Sequence, residues 1–134
     1  MKVTRIIAAA ALMIAGSGLS LDHSSAQQQA VQRTDLLQSD ISIPGREVSQ
    51  VRVDFAPGAV SITHSHPGEE VAYVLEGSLE YQLEGRQPVT LNAGESLFIP
   101  AGTVHLAKNV SSGKSSELAT YILEKGKPAV VPAK

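Results

Sequence analysis

Three histidines and one glutamate stand at spacings that a single cation could gather. His64, Ser65 and His66 follow Gly58 after five residues, Glu70 follows after three more, and Gly77 after a further six. A second stretch runs Gly94, five residues, Pro100-Ala101-Gly102, two residues, His105, three residues, Asn109. The only other histidine, His23, lies in a leader-like segment, so histidine use after it is confined to these two stretches. Three neutral imidazoles and a carboxylate form a borderline nitrogen and oxygen set, suited to divalent manganese, iron, cobalt, nickel, copper or zinc and poor for calcium. Four protein ligands leave one or two positions for water, dioxygen or substrate on a five- or six-coordinate metal. A four-coordinate zinc would instead be closed and structural.

Strands are the elements that can bring these groups together. Side chains two apart on a strand share a face, with α-carbons about 6.5 to 7 Å apart, so His64 and His66 point the same way. Pro67-Gly68 reverses the chain and lets Glu70 open a neighbouring strand, while its rival Glu69 points to the other face. His105 follows the Pro100–Gly102 turn onto a strand that pairing can set opposite. Elsewhere Val51, Val53 and Phe55 alternate with Arg52 and Asp54, and Val60 to His66, Ser78 to Leu83, Leu97 to Ile99, Val104 to Val110 and Leu118 to Leu123 read as further strands between Gly and Pro turns. Val71 to Leu75 is apolar enough to predict cover on both faces. No stretch has sustained helical periodicity. Short strands at this rhythm predict an all-β single domain, a sandwich or barrel.

The two stretches match the paired signature of the cupin superfamily at all ten fixed positions, and the resemblance covers residues 46–124. The sixteen-residue spacer, Ser78 to Ala93, is similar to that of small bacterial single-domain cupins. The resemblance implies a six- to eight-stranded antiparallel jelly-roll barrel with one divalent transition metal held by His64, His66, Glu70 and His105. It ranks manganese and iron first, then zinc, nickel and copper. It also implies pairing of two copies through outer strands, which an edge in need of cover would welcome.

Residues 1–26 read as a secretory signal peptide. Lys2 and Arg5 precede an apolar run of ten residues, Ile6 to Ala15, and Ser24-Ser25-Ala26 offers a cleavage site. The run is half the length of a membrane span, so the expected location is periplasmic or secreted, with no stable membrane insertion after cleavage. Removal of Lys2, Arg5 and Asp22 leaves nine basic and twelve acidic side chains, a formal charge of −3. No basic stripe points to nucleic acid. The absence of cysteine excludes disulfides, thiolate ligands and thiol nucleophiles. Residues 27–45 read as a polar arm with an edge strand at Ile41 and Ile43, and residues 125–134 as an extended tail.

Two functions fit. One is a metal-dependent enzyme of the dioxygenase or oxidase type acting on a small organic acid or phenol, with Glu70 as ligand and possible base. The other is a non-enzymatic module binding a metal or small ligand, favoured by the lack of a further catalytic constellation. Only five aromatic residues are available, and Tyr73 and Phe98 are expected in the core. Of Arg52, Arg86 and Lys108, Arg52 is the candidate to face a pocket.

Overall fold

The computed structural model describes residues 30–134, so the segment read as a signal peptide lies outside the described residues. Ten strands run in chain order: β1 (Val31–Asp40), β2 (Arg46–Phe55), β3 (His64–Ser65), β4 (Gly68–Glu76), β5 (Ser78–Leu83), β6 (Val89–Asn92), β7 (Ser96–Ile99), β8 (His105–Asn109), β9 (Ser115–Glu124) and β10 (Val131–Pro132). They form two five-stranded antiparallel sheets, ordered β1-β2-β9-β4-β7 and β10-β3-β8-β5-β6. β2 to β9 are the eight strands of the expected jelly roll, and β1 and β10 extend one sheet each.

Alternation drives the packing. Val51, Val53 and Phe55 on β2, Ala119, Tyr121 and Leu123 on β9 and Ala72 and Val74 on β4 line the inner face of one sheet. Opposite them stand Leu79, Tyr81 and Leu83 on β5, Leu91 on β6 and Ala107 on β8 of the other, in one continuous apolar interior. Full burial of a side chain such as Phe55 contributes about 1.5 to 3 kcal/mol. Two glycines are dictated by close approach. A Cβ on Gly68 would collide with the Ile122 carbonyl of the paired strand. Gly77 has φ +70°, and a Cβ there would strike the Ser115 hydroxyl.

Beside Gly77, Asn109 ties three segments together. Its amide donates to the carbonyls of Phe55, Ala56 and Gly113 at 3.2, 3.0 and 2.8 Å, and its carbonyl accepts from Ser111 and Ser115. This meets the expectation that Asn109 bonds nearby loop backbone.

Several expectations change. The polar segment expected as an arm is the ten-residue strand β1, paired along β2 with a bulge between Asp35 and Leu37. Ile41 to Gly45 is its turn. The stretch Val60 to His66 is regular only at His64–Ser65, with a single bridge from Val60 to Lys108. β4 is interior to its sheet, yet Val71, Tyr73 and Leu75 are about 40% exposed, so only one of its faces is covered among the described residues. Tyr73 and Phe98 lie on that outer face; the buried aromatics are Phe55, Tyr81 and Tyr121. Arg52 also faces outward, 3.1 Å from Asp54, away from the interior.

Candidate metal centre

His64 on β3 and His105 on β8 are directly paired across the second sheet. His66 follows β3 at its end. Glu70 enters from β4, which belongs to the opposite sheet and does not pair with β3. The reversal at Pro67-Gly68 therefore carries the chain across the sandwich rather than to a neighbouring strand, and Glu70 reaches the histidines through the interior. All four side chains are buried. The three histidines offer ring nitrogens within 4.8 Å of one another, and their ring centroids lie 4.4 to 5.1 Å apart. Glu70 Oε2 is 2.9 Å from His66 Nε2 and 3.4 Å from His105 Nε2.

Backbone carbonyls fix how each imidazole is presented. His64 Nδ1 meets the Ile62 carbonyl at 2.7 Å and His105 Nδ1 meets that of Thr103 at 2.8 Å. His66 Nδ1 meets the carbonyl of Ala129, 63 residues away. A carbonyl only accepts, so every Nδ1 is the protonated donor and each neutral ring turns an Nε2 lone pair inward. His66 Nε2 and Glu70 Oε2 are both buried and neither finds a hydrogen bond among the described residues, although they face each other. Two facing lone pairs in a low-dielectric interior repel. A proton would relieve one such pair; a cation satisfies all four atoms together. The residues present thus fit a divalent transition metal, with Nδ1 partners of the kind that orient ligating histidines.

Titration follows the same geometry. Burial, reinforced by the neighbouring rings, takes His64 down to about 4. Burial opposes the charge on His105 too, but Glu70 and the Thr103 carbonyl outweigh it and raise its value. For Glu70 burial opposes ionisation, and the hydrogen bonds that His105 and His66 give once an Nε2 carries a proton overcome it, holding the carboxyl well below its usual range.

Behind the histidines a cavity of about 240 Å³ opens between the sheets. Its walls are mainly apolar, from Val31, Val53, Phe55, Val60, Ile62 and Val130. Tyr81 donates to Glu117 in its interior. Burial, then the charge of Glu70, raises the Glu117 carboxyl to about 7. Arg33 of β1 reaches the cavity and donates to the Tyr121 hydroxyl at 3.1 Å. None of these four polar residues was read as functional from the sequence. Glu117 carried a signal: it is an acid at the inward parity of β9, where Ser115, Ala119, Tyr121 and Leu123 are otherwise uncharged. Arg33 carried none, lying in a strand whose residues are almost all exposed.

The family model described as "Cupin domain" matches residues 51–121. The chain belongs to the cupin family. Among curated relatives, this cupin is 38% identical over 87 residues to germin-like protein subfamily 2 member 2 of Arabidopsis thaliana, covering 59% of the chain and 40% of that protein. It is 30% identical over 135 residues to germin-like protein subfamily T member 2 of the same plant, covering 95% of the chain and 60% of the relative. Each is matched over less than two thirds of its length. Among solved structures, oxalate oxidase in complex with the substrate analogue glycolate superposes with a TM-score of 0.63 at 27% identity, covering 78% of this chain and 55% of that one.

Proposed function

We propose that this cupin is an exported, metal-dependent oxidase- or dioxygenase-type enzyme acting on a small organic acid or phenol. The supporting observation is the approach of His66 Nε2 and Glu70 Oε2 at 2.9 Å with no hydrogen bond to either among the described residues, beside two further inward Nε2 atoms. His64, His66, His105 and Glu70 would hold the ion, with manganese or iron ranked first from the resemblance. Such an ion, when bound, supplies Lewis-acid and redox chemistry at an open coordination position. The chain's own contribution is a mostly apolar cavity, and a Glu70 that is ionised at neutral pH, suited to ligation and placed beside the histidines as the candidate base, with a basicity that its lowered value reduces. Likeness to germin-like proteins and oxalate oxidase supports the oxidase form over the binding module.

The reading includes a homodimer. Val71, Tyr73 and Leu75 on β4, Phe98 on β7 and Ile122 on β9 expose one apolar tract, with Val71 paired to Phe98. A second copy laid over it would supply the cover that the strand composition calls for.

Elemental analysis of protein taken from its native exported compartment, beside the doubly substituted His64→Ala, His105→Ala variant, tests the reading. Near-stoichiometric iron or manganese, lost in the variant, supports it and leads to an oxygen-uptake screen with small acids and phenols. Zinc, or no metal in either protein, refutes the oxidase reading.

A further inference from the structure

We propose that Arg33 and Tyr121 form an anion anchor at the mouth of the cavity, selecting a short carboxylic acid with an apolar body and a second oxygen donor at its far end. The inference rests on the oxidase reading for what happens at that far end, and on this chain's own residues for the anchor.

Arg33 sits on β1 opposite Val53, and so on the strand face that turns towards the interior. Its guanidinium lies 5.7 Å from the centre of the Tyr121 ring and donates to the Tyr121 hydroxyl. That is the side chain's one hydrogen bond among the described residues, and no carboxylate of those residues pairs with it. A guanidinium offers five donors in a planar fork, so most of this one is free to receive a carboxylate edge-on. Surface arginines are commonly unpaired, but this one is bonded to the hydroxyl of a buried tyrosine and lines a cavity. That bond removes rotamers that a solvated arginine would keep, which is the preorganisation an anchor needs.

The geometry also sets the size of the ligand. His66 packs its ring 4.6 Å from the centre of the same Tyr121 ring. Guanidinium and His66 thus lie against one phenol, no further apart than those two distances laid end to end. An acid bound to Arg33 therefore needs only a short body for its second oxygen to come within reach of the His64 and His105 nitrogens that line the same cavity. Between the two ends the walls are Val53, Phe55, Val60 and Ile62, which reward hydrocarbon and give a compact dianion nothing to bond. The two buried carboxyl groups, Glu70 and Glu117, would repel an anion if uncompensated. A divalent ion on the histidines balances both and leaves Arg33 as the unmatched charge at the entrance.

Calorimetric titration of the full chain with 4-hydroxybenzoate, its uncharged isostere 4-hydroxybenzamide, and acetate tests the anchor. The expected result is that the acid binds at least about tenfold more tightly than the amide and more tightly than acetate. In Arg33→Met the preference for acid over amide falls to near unity, while metal content and melting temperature stay as in the parent; Arg33→Lys recovers part of it. Persistence of the preference in Arg33→Met overturns the anchor, as does absence of acid binding by the parent. Acetate binding as tightly as the aromatic acid overturns the apolar-body selection. Titrating the protein before and after chelator treatment separates the two proposals. Arg33-dependent selectivity in protein purified without metal leaves the anchor standing and removes the oxidase reading. Metal-replete protein blind to ligand charge does the reverse.

Discussion

Removing the C-terminal segment from Ala129 onwards should weaken metal binding while leaving the barrel folded. The reason lies in one bond. Ile62 and Thr103 orient His64 and His105 from two residues away, but His66 takes its orienting carbonyl from Ala129, on the approach to β10. Truncation also removes the pairing of Val131 and Pro132 with Ser65 and His64, and the bond from the Ala133 amide to the Thr63 carbonyl at 2.9 Å. Without the Ala129 partner, His66 is free to rotate and to adopt the other tautomer. The lost hydrogen bond alone is worth about 1 kcal/mol, and loss of an outer partner of a ligating histidine costs roughly 10- to 100-fold in affinity. We therefore expect a 10- to 100-fold fall, read by competition with a chromophoric chelator. Each tenfold step corresponds to about 1.4 kcal/mol. The long ladders β1-β2, β2-β9 and β4-β9 are untouched, so circular dichroism should be preserved and the melting temperature lowered by only a few degrees. Removal of Lys134 alone should change neither. A truncated protein that keeps its fold and binds metal within threefold of the full chain would refute the assignment of Ala129 as the partner that orients His66.

Acidification should release metal starting above the ordinary histidine value of about 6.5, because His105 is raised and its proton competes first, whereas His64, depressed to about 4, offers no competition until far lower pH. Metal content unchanged between pH 8 and 5 would count against the three-histidine site. Glu117→Gln should raise the melting temperature of chelator-treated protein at pH 8 by an amount worth at most a few kcal/mol, and not at pH 4. The sign follows from a folded value raised from 4.5 to about 7: stability is full below 4.5 and is lost as pH rises through 7, a loss that glutamine does not suffer. A variant no more stable than the parent at pH 8 would show that the carboxylate is compensated. Asn109→Ala should cost about 3 kcal/mol in denaturant unfolding, since it strips partners from three buried or half-buried carbonyls and two serines, while metal stoichiometry at saturation stays the same. Light scattering at micromolar concentration should return twice the chain mass, and Phe98→Glu should halve it; a monomeric parent removes the dimer.

The sequence carried the metal-site candidates because ligand chemistry leaves rare residues at fixed offsets, and His64, His66, Glu70 and His105 converge where those offsets suggested. It carried the strand rhythm for the same reason that Val51, Val53 and Phe55 face inward: period-two burial is a local pattern. What it did not carry depends on contacts distant along the chain. Tyr73 and Phe98 are as apolar as core residues, and only the identity of the sheet face decides that they lie outside. Arg33 looks like any charge on a polar segment until β1 pairs with β2 and turns it towards Tyr121. A Pro-Gly reversal looks the same in sequence whether it joins paired strands or crosses between sheets, so nothing local shows that Glu70 enters from the opposite sheet.

The Ala129 carbonyl has a consequence for the order of events during biogenesis. The four candidate ligands are all made by residue 105, but the partner that fixes His66 comes 24 residues later. A nascent chain that has not reached residue 129 would therefore present His64, His66 and His105 with one imidazole still free to turn, and would compete poorly for metal. Full affinity arrives only when β10 docks. A metal taken by this site would therefore be held best once residue 129 has been made and β10 has docked.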